Sequence, residues 1–153
     1  MHKIMFVCHG NICRSPMAEF IMKKLVRESG REKEFIISSC ATSNEEIWNG
    51  VGNPVYPPAR KMLAEHGISC EGKRAVRLQK SDYNKYDMLV CMDSNNVRNA
   101  LRIVEGDADG KLSKLMSFAG SDADVSDPWY TDNFQKAYDD IYKGCAALLE
   151  KLK

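Results

Sequence analysis

The sequence predicts a single α/β domain in which a parallel sheet carries helices on both faces. Short apolar segments rich in β-formers alternate with segments of helical periodicity, and such alternation requires crossover connections between parallel strands. The chain has 153 residues, of which 44% are hydrophobic, so it can build one proper core but not two ordinary domains. We therefore expect one domain over residues 1–153.

Four segments are predicted as buried strands because they are compact, apolar and rich in β-branched residues: 3–8, 35–40, 87–92 and 114–118. Four helices are predicted between and after them, at 16–28, 58–66, 94–104 and 133–152. Ser15-Pro16 has the composition of an N-cap and first helical residue, and Gly67 is suited to end the second helix. The long irregular stretches 42–57 and 121–130 are expected to be functional loops.

Charge and cysteine content exclude several classes of function. The formal net charge of +1 lacks the basic excess that nucleic acid or an anionic membrane requires. The six cysteines are scattered without metal-ligand spacing, which favours a reduced, cytoplasmic protein over a secreted disulfide scaffold. No secretory signal peptide and no apolar run of transmembrane length is apparent.

The segment CHGNICRS, residues 8–15, places Cys8 and Arg14 six positions apart between the first strand and the first helix. Backbone N–H groups of such a loop and the helix N-terminus favour anions, so we expect an oxyanion pocket formed by His9, Gly10, Asn11, Ile12, Cys13 and Ser15. Cys8 at its base is expected to be a thiolate nucleophile, and Arg14 is expected to grip phosphoryl oxygens bidentately.

An acid for the leaving group is predicted at Asp127, in the sequence Asp127-Pro128-Trp129-Tyr130 of the second long loop. It would protonate the leaving oxygen and then activate water against a phosphocysteine intermediate. Trp48, Trp129 and Tyr130 are candidates for an aromatic pocket wall. Cys13, a second thiol in the loop, suggests a reversible disulfide with Cys8.

The first motif, followed by Pro16, together with DPWY near the C-terminus, resembles the low-molecular-weight protein tyrosine phosphatases over nearly the whole chain. The resemblance implies a four-stranded, flavodoxin-like sheet of the phosphotyrosine phosphatase I type, a phosphocysteine mechanism, and neither metal nor cofactor. By position it implies Cys8 as nucleophile, Arg14 as clamp and Asp127 as general acid and base. Asn11 would hold the left-handed turn, and Ser15 would donate to the thiolate. Ser39 and His66 match a serine and a histidine of the hydrogen-bond network beneath the loop.

The expected substrate is a phosphotyrosine protein or a small aryl phosphate, with inorganic phosphate or related oxyanions as inhibitors and a monomeric enzyme. Ile12 stands where the protein-arginine phosphatase branch of the family carries threonine, which favours phosphotyrosine. Segment 44–53 is longer than usual, and Trp129 precedes Tyr130 where many relatives have two tyrosines.

Three alternatives remain open. A thioredoxin-coupled arsenate reductase shares the Cys-to-Arg loop but needs two further cysteines close together, and Cys70 and Cys91 are far apart in sequence. In a phosphate-binding regulatory module, Asp127 would only form a turn. A metallophosphatase is disfavoured because the three histidines form no ligand cluster in the sequence.

Overall fold

The computed structural model describes all 153 residues, and its centre is a four-stranded parallel sheet in the order β2-β1-β5-β6. In chain order the strands are β1 (His2–Cys8), β2 (Phe35–Ala41), β3 (Ile47–Trp48), β4 (Val51–Gly52), β5 (Met88–Cys91) and β6 (Leu112–Lys114). The helices are α1 (Arg14–Glu28), α2 (Pro57–Glu65), α3 (Asp82–Lys85), α4 (Ser94–Val104), α5 (Pro128–Thr131) and α6 (Phe134–Lys151). The predicted fold class is confirmed. No helix is long and apolar enough to cross a membrane.

Alternation along the central strand β1 divides the interior into two layers. Ile4 and Phe6 point into the larger hydrophobic cluster, which α1 and α6 cover. Met5 and Val7 point into a smaller cluster covered by α4. Because both faces are buried, β1 is an unbroken apolar run, and its carboxyl end, Cys8, lies at the centre of the sheet edge.

Two predicted boundaries are wrong. The fourth strand is Leu112–Lys114 rather than 114–118, and the apolar residues Leu115–Ala119 form a 3₁₀ helix instead. Leu115 and Met116 are both buried there, which an extended strand with one covered face would not achieve. The first helix begins at Arg14 with Cys13 as the N-cap residue, so Ser15 lies inside the helix and its hydroxyl is free to turn toward the loop.

The turn before β6 is closed by a carboxylate. Asp107 accepts hydrogen bonds from Tyr83 Oη at 2.7 Å and from the backbone N–H groups of Lys111 and Leu112 at 2.6 and 3.2 Å. Burial on its own raises the pKa of Asp107, but these hydrogen bonds outweigh it and lower the pKa below its ordinary value. The carboxylate thus stabilises the entry into the edge strand.

The long segment after β2 contains a hairpin that the sequence analysis did not predict. β3 and β4 pair antiparallel, with Ile47 opposite Gly52 and Trp48 opposite Val51. Asn49 and Gly50 have φ of 51° and 78°, the left-handed pair that a two-residue hairpin turn requires. The Asn49-Gly50 dipeptide is the sequence signal that could have predicted this hairpin.

Candidate active site

The loop between β1 and α1 forms the floor of a pocket at the carboxyl edge of the sheet. The loop is fixed to its surroundings by backbone hydrogen bonds from Thr42 to Cys8, from Ser43 to His9 and from Tyr56 to Ile12, between 2.8 and 3.1 Å long. Its lining comes from the loop and from two outer segments: Cys8, His9, Gly10, Ile12, Cys13, Arg14, Glu45, Glu46, Asp127, Trp129 and Tyr130. Asp127, which is distant in the sequence from the motif that carries Cys8 and Arg14, therefore meets both residues in one pocket.

Two hydrogen bonds hold the sulfur of Cys8. The backbone N–H of Asn11 donates to Sγ at 3.2 Å, and Ser15 Oγ lies 2.9 Å from Sγ. Asn11 Nδ2 donates to that same Ser15 oxygen at 2.7 Å. Asn11 uses the Ser15 hydroxyl as an acceptor, so the hydroxyl proton is free to be donated, and its two acceptors are the Cys8 sulfur at 2.9 Å and the Cys40 carbonyl at 3.4 Å, of which the sulfur is the nearer. Ser15 thus lies where the resemblance placed it.

Asn11 makes the hydrogen bonds that hold the loop in place, and it is almost completely buried. Its φ is 60°, a left-handed conformation that asparagine adopts more readily than most residues. Its Oδ1 accepts from the backbone N–H of Val76 at 3.0 Å, and its Nδ2 also donates to Ser39 Oγ at 2.9 Å. The side chain therefore connects the loop to β2 and to the segment after α2.

Beneath Asn11, the network continues to a buried carboxylate. Ser39 Oγ donates to Glu19 Oε1 at 2.6 Å, since an ionised carboxylate only accepts. Glu19, with a side chain only 6% exposed, is also paired with Lys23 at 2.6 Å and with Lys73 at 3.4 Å. Lys73 Nζ donates to the Ser39 carbonyl at 3.0 Å as well. Glu19 and Lys73 were missed, because each looked like an ordinary surface charge in the sequence.

The placement of His66 in this network is wrong. His66 ends α2, where its Nδ1 lies 3.0 Å from the carbonyl of Met62 and its ring stacks on Tyr138 at 3.9 Å between centroids. It makes no hydrogen bond to Asn11, Ser15 or Ser39. Lys73 reaches the network instead, because its segment runs alongside the edge strand β2, where Arg77 forms a bridge with Ala41.

Arg14 is held rigidly with its guanidinium at the pocket. Its Nη1 donates to the carbonyl of Val125 at 2.8 Å, and its Nη2 lies 2.9 Å from Asp93 Oδ2 and 3.4 Å from Asp127 Oδ2. Burial alone would lower the pKa of Arg14, but the negative charges of Cys8, Asp127 and Asp93 raise it overall. Asp93 was missed as a site residue, although its position directly after a buried strand was a signal.

Asp93 has a second structural role as the N-cap of α4. Its side chain accepts from the backbone N–H of Asn96 at 2.7 Å, while Asn96 Oδ1 accepts from the Asp93 N–H at 3.1 Å. This reciprocal capping box fixes the carboxylate that anchors Arg14. The N-terminus of α4 therefore fixes Asp93, and Asp93 in turn holds the Arg14 guanidinium at the pocket.

Asp127 is the N-cap of the short helix α5 rather than a residue of an irregular loop. Its Oδ1 accepts from the N–H of Trp129 at 3.0 Å, which leaves Oδ2 directed toward Arg14. Its side chain is 29% exposed, so the carboxyl group reaches both the guanidinium and the solvent at the pocket mouth. Pro128 provides the first residue of α5 and fixes the direction of the turn.

Of the three predicted aromatic wall residues, two line the pocket. Trp129 and Tyr130 do so, and the Trp129 ring packs against Tyr56 at 4.9 Å between centroids. The assignment of Trp48 to the wall is wrong, because the β3–β4 hairpin carries it away from the pocket and leaves it 78% exposed. Glu45 and Glu46, which precede the hairpin, take that place.

All six cysteines are free thiols. Cys13 lines the pocket, and burial, followed by the negative charge of Cys8, raises its pKa. Cys70 packs in the larger hydrophobic cluster and Cys91 in the smaller one, on opposite faces of the sheet, so they do not form the pair that an arsenate reductase relay needs. No group of three or more His, Cys, Asp or Glu residues is arranged to hold a metal ion.

A cysteine and an arginine six positions apart on a loop between the first strand and first helix of a parallel sheet are typical of cysteine-dependent phosphatases and of the related arsenate reductases, and the separation of Cys70 from Cys91 favours the phosphatases. The particular family follows from comparison. Residues 3–153 match the family model "Low molecular weight phosphotyrosine protein phosphatase", and the chain belongs to this family.

Similar proteins cover almost the whole chain. The low molecular weight protein-tyrosine-phosphatase PtpA of Staphylococcus aureus is 34% identical over 151 residues, which are 98% of this chain and 93% of PtpA. The crystal structure of YfkJ from Bacillus subtilis has a TM-score of 0.93 at 32% identity and covers 99% of this chain and 94% of its own. SP-PTP from Streptococcus pyogenes has a TM-score of 0.88 at 36% identity, with 100% and 94% coverage.

Proposed function

We propose that this protein hydrolyses phosphotyrosine in proteins, and small aryl phosphates, through a phosphocysteine intermediate. The observation that carries the proposal is the convergence of Cys8, Arg14 and Asp127 on one pocket, with Asp127 Oδ2 3.4 Å from Arg14 Nη2. Membership of the family and the names of the relatives support the same reaction. Arg14 and the loop N–H groups would bind the phosphoryl oxygens.

In the first step, the Cys8 sulfur attacks phosphorus, an S–P bond forms, and the P–O bond to the leaving group breaks. Asp127 gives its proton to the leaving oxygen, so the phenol departs neutral. In the second step, Asp127 takes a proton from water, the water oxygen attacks phosphorus, and the S–P bond breaks to release inorganic phosphate. Trp129 and Tyr130 flank the pocket and suit an aryl ring.

Two variants and a binding measurement test the nucleophile, the general acid and the binding of phosphate separately. Cys8→Ser should abolish turnover of p-nitrophenyl phosphate while inorganic phosphate still binds by calorimetry. Asp127→Ala should slow aryl phosphates with poor leaving groups most, by about 100-fold or more, because they depend most on the acid. Full activity of Cys8→Ser would refute the nucleophile. Absence of turnover in the wild type, with phosphate bound, would instead favour the phosphate-binding module.

We further propose that Cys13 protects Cys8 from overoxidation. Peroxide would oxidise the Cys8 thiolate to a sulfenic acid, and the Cys13 sulfur would then displace water to form a disulfide that an external thiol reduces. Because burial raises the pKa of Cys13, the resolving step should accelerate with rising pH. Cys13→Ser should recover less activity in dithiothreitol after peroxide. Equal recovery of the variant and wild type would refute the role.

The remaining parts of the proposal concern the cellular compartment, the oligomeric state, the cofactor requirement and the inhibitors. A thiol-dependent site in a chain of six free cysteines suits a reducing cytoplasm. The net charge of +1 provides no affinity for nucleic acid. We propose a monomer that requires neither metal nor cofactor and is inhibited competitively by phosphate or related oxyanions. Sedimentation of the protein and activity in the presence of a chelator test these points.

A further inference from the structure

The segment that carries Asp127 is attached to the body of the protein just before it reaches the pocket. The N–H of Val125 donates to the carbonyl of Met92 at 2.9 Å, and the Val125 carbonyl accepts from Arg14 Nη1 at 2.8 Å. The Val125 side chain is buried in the larger hydrophobic cluster. Because only Ser126 lies between Val125 and Asp127, the position of the acid depends on how the preceding chain is held.

A second attachment lies immediately before Val125, at the ammonium group of Lys114. Lys114 is the last residue of β6, so it lies at the same carboxyl edge of the sheet as the pocket. Its Nζ donates to Asp124 Oδ1 at 2.9 Å, to the Asp122 carbonyl at 2.5 Å and to Ser94 Oγ at 3.2 Å. An ammonium group has three donors, so each one has an acceptor here. The Lys114 side chain is 21% exposed.

Asp124 connects this ammonium group to the helix that holds the arginine. Its Oδ1 also accepts from the backbone N–H of Ser94 at 3.1 Å, and Ser94 follows Asp93, the carboxylate that pairs with Arg14. Burial raises the pKa of Asp124, but the hydrogen bonds from Lys114 and from the Ser94 N–H outweigh it and lower the pKa below its ordinary value. The Asp124 carboxylate is therefore ionised at neutral pH and stays paired with Lys114.

We propose that Lys114 is a positioning residue for the general acid Asp127. By holding the Asp122 carbonyl and the Asp124 carboxylate, its ammonium group fixes the path of the chain just before the acid. Lys114 is not part of the pocket lining, so it acts through Asp127 rather than on the substrate. A displacement of about 1 Å at a reacting group costs as much as about 100-fold in rate, so a surface ion pair that adds little stability still matters for catalysis. This inference rests on the proposed function, because it requires Asp127 to act as the acid.

The experiment compares phenyl phosphate, whose leaving group depends most on the acid, with p-nitrophenyl phosphate, whose more acidic leaving group depends on it less. Lys114→Met keeps the apolar stem of the lysine and removes the ammonium group. We expect kcat/KM to fall about tenfold for phenyl phosphate and about twofold or less for p-nitrophenyl phosphate, with unchanged inhibition by inorganic phosphate. Equal losses for the two substrates would overturn the positioning role, since general damage to the pocket does not depend on the leaving group.

Coupling to Asp127 separates positioning from an independent effect. In an Asp127→Ala background, Lys114→Met should not slow phenyl phosphate further, because the group that it positions is absent. A loss of about tenfold that persists in that background would contradict the proposal. Full activity of Lys114→Met, where Asp127→Ala is slow on phenyl phosphate, would refute the positioning role and leave the proposed function intact. Full activity of Asp127→Ala on both substrates would refute the proposed acid, and the role of Lys114 with it.

Two replacements of Asp124 test the same contact from the other side. Asp124→Ala removes the acceptor and should reproduce the loss on phenyl phosphate, whereas Asp124→Asn keeps an acceptor oxygen and should have a smaller effect. Full activity of Asp124→Ala toward phenyl phosphate would also count against the proposal. Lys136→Met is the matched control, because Lys136 pairs with Asp140 at 3.2 Å on α6, and it should change kcat/KM for neither substrate. A selective loss on phenyl phosphate in this control would contradict the assignment to Lys114.

Discussion

Replacing Asn11 tests how the loop is held in the left-handed shape. Asn11→Ala introduces a residue that adopts φ of 60° at a cost of roughly 1–2 kcal/mol. It also leaves the Val76 N–H without its acceptor, which costs about 1–3 kcal/mol, and removes two donors whose serine partners keep other bonds. We expect Asn11→Ala to lower the free energy of unfolding by about 2–5 kcal/mol.

Asn11→Gly separates the cost of the left-handed backbone from the cost of the lost hydrogen bonds. Glycine adopts the left-handed conformation freely but loses the same hydrogen bonds and adds freedom to the unfolded chain, so it should be more stable than the alanine variant by about 0.5–1 kcal/mol. Asn49 is a matched control, since its φ is 51° but its exposed side chain makes no hydrogen bond. Asn49→Ala should cost only the conformational part, about 1 kcal/mol.

The assay is urea unfolding followed by far-ultraviolet circular dichroism, with the slope checked for each variant so that a common two-state analysis applies. The reasoning is refuted if Asn11→Ala and Asn49→Ala are equally destabilising, because the buried hydrogen bonds would then contribute nothing. It is also refuted if the glycine variant at position 11 is less stable than the alanine variant, because the left-handed backbone would then not limit the choice of residue.

Two further predictions concern the scaffold. Gly52→Ala should destabilise the protein by more than about 2 kcal/mol in the same urea assay because the new Cβ meets the Ala75 backbone. Gly144→Ala should also be destabilising, because its new Cβ would lie 2.5 Å from Cγ of the fully buried Leu115. Asp107→Asn should lower stability at pH 7 by about 1 kcal/mol. Since the folded-state pKa of Asp107 is depressed, its stabilising contribution is present above the unfolded pKa of about 3.9 and is lost as pH falls through the folded pKa, so the free energies of unfolding of the variant and the wild type should converge progressively as the pH is lowered below the unfolded pKa. A gap between the Asp107→Asn variant and the wild type that stays constant as the pH falls, or either glycine variant as stable as the wild type, would show the respective reasoning to be wrong.

Much of the fold followed from local patterns, because strands buried on both faces are apolar runs and amphipathic helices have a clear period. The fourth strand was predicted too far along the chain, because the apolar composition of 114–118 suits a strand and a 3₁₀ helix equally well. Only the pairing of Leu112 with Leu89 shows which residues form the strand. The β3–β4 hairpin was missed because two-residue strands have too little periodicity to read. Its Asn49-Gly50 turn was the remaining clue.

The sequence by itself determined which side chains stand at the floor of the pocket, because Cys8, Asn11, Arg14 and Ser15 lie on one short loop between the first strand and the first helix. Asp127 was predicted from the Asp-Pro pair beside two aromatic residues in a long loop, but its position as the N-cap of α5 was not. Their catalytic roles stay predictions.

Only the tertiary structure decided what supports and surrounds that loop. Asp93 holds Arg14, Glu19 and Lys73 complete the network under Asn11, and the carboxylates of Glu45 and Glu46 take the place expected for Trp48. In the sequence each of these charged residues looks like an ordinary surface residue. What it contacts depends on which distant segment the order of the strands places beside it. Electrostatic partners are selected by distance in space, which no local spacing in the chain encodes.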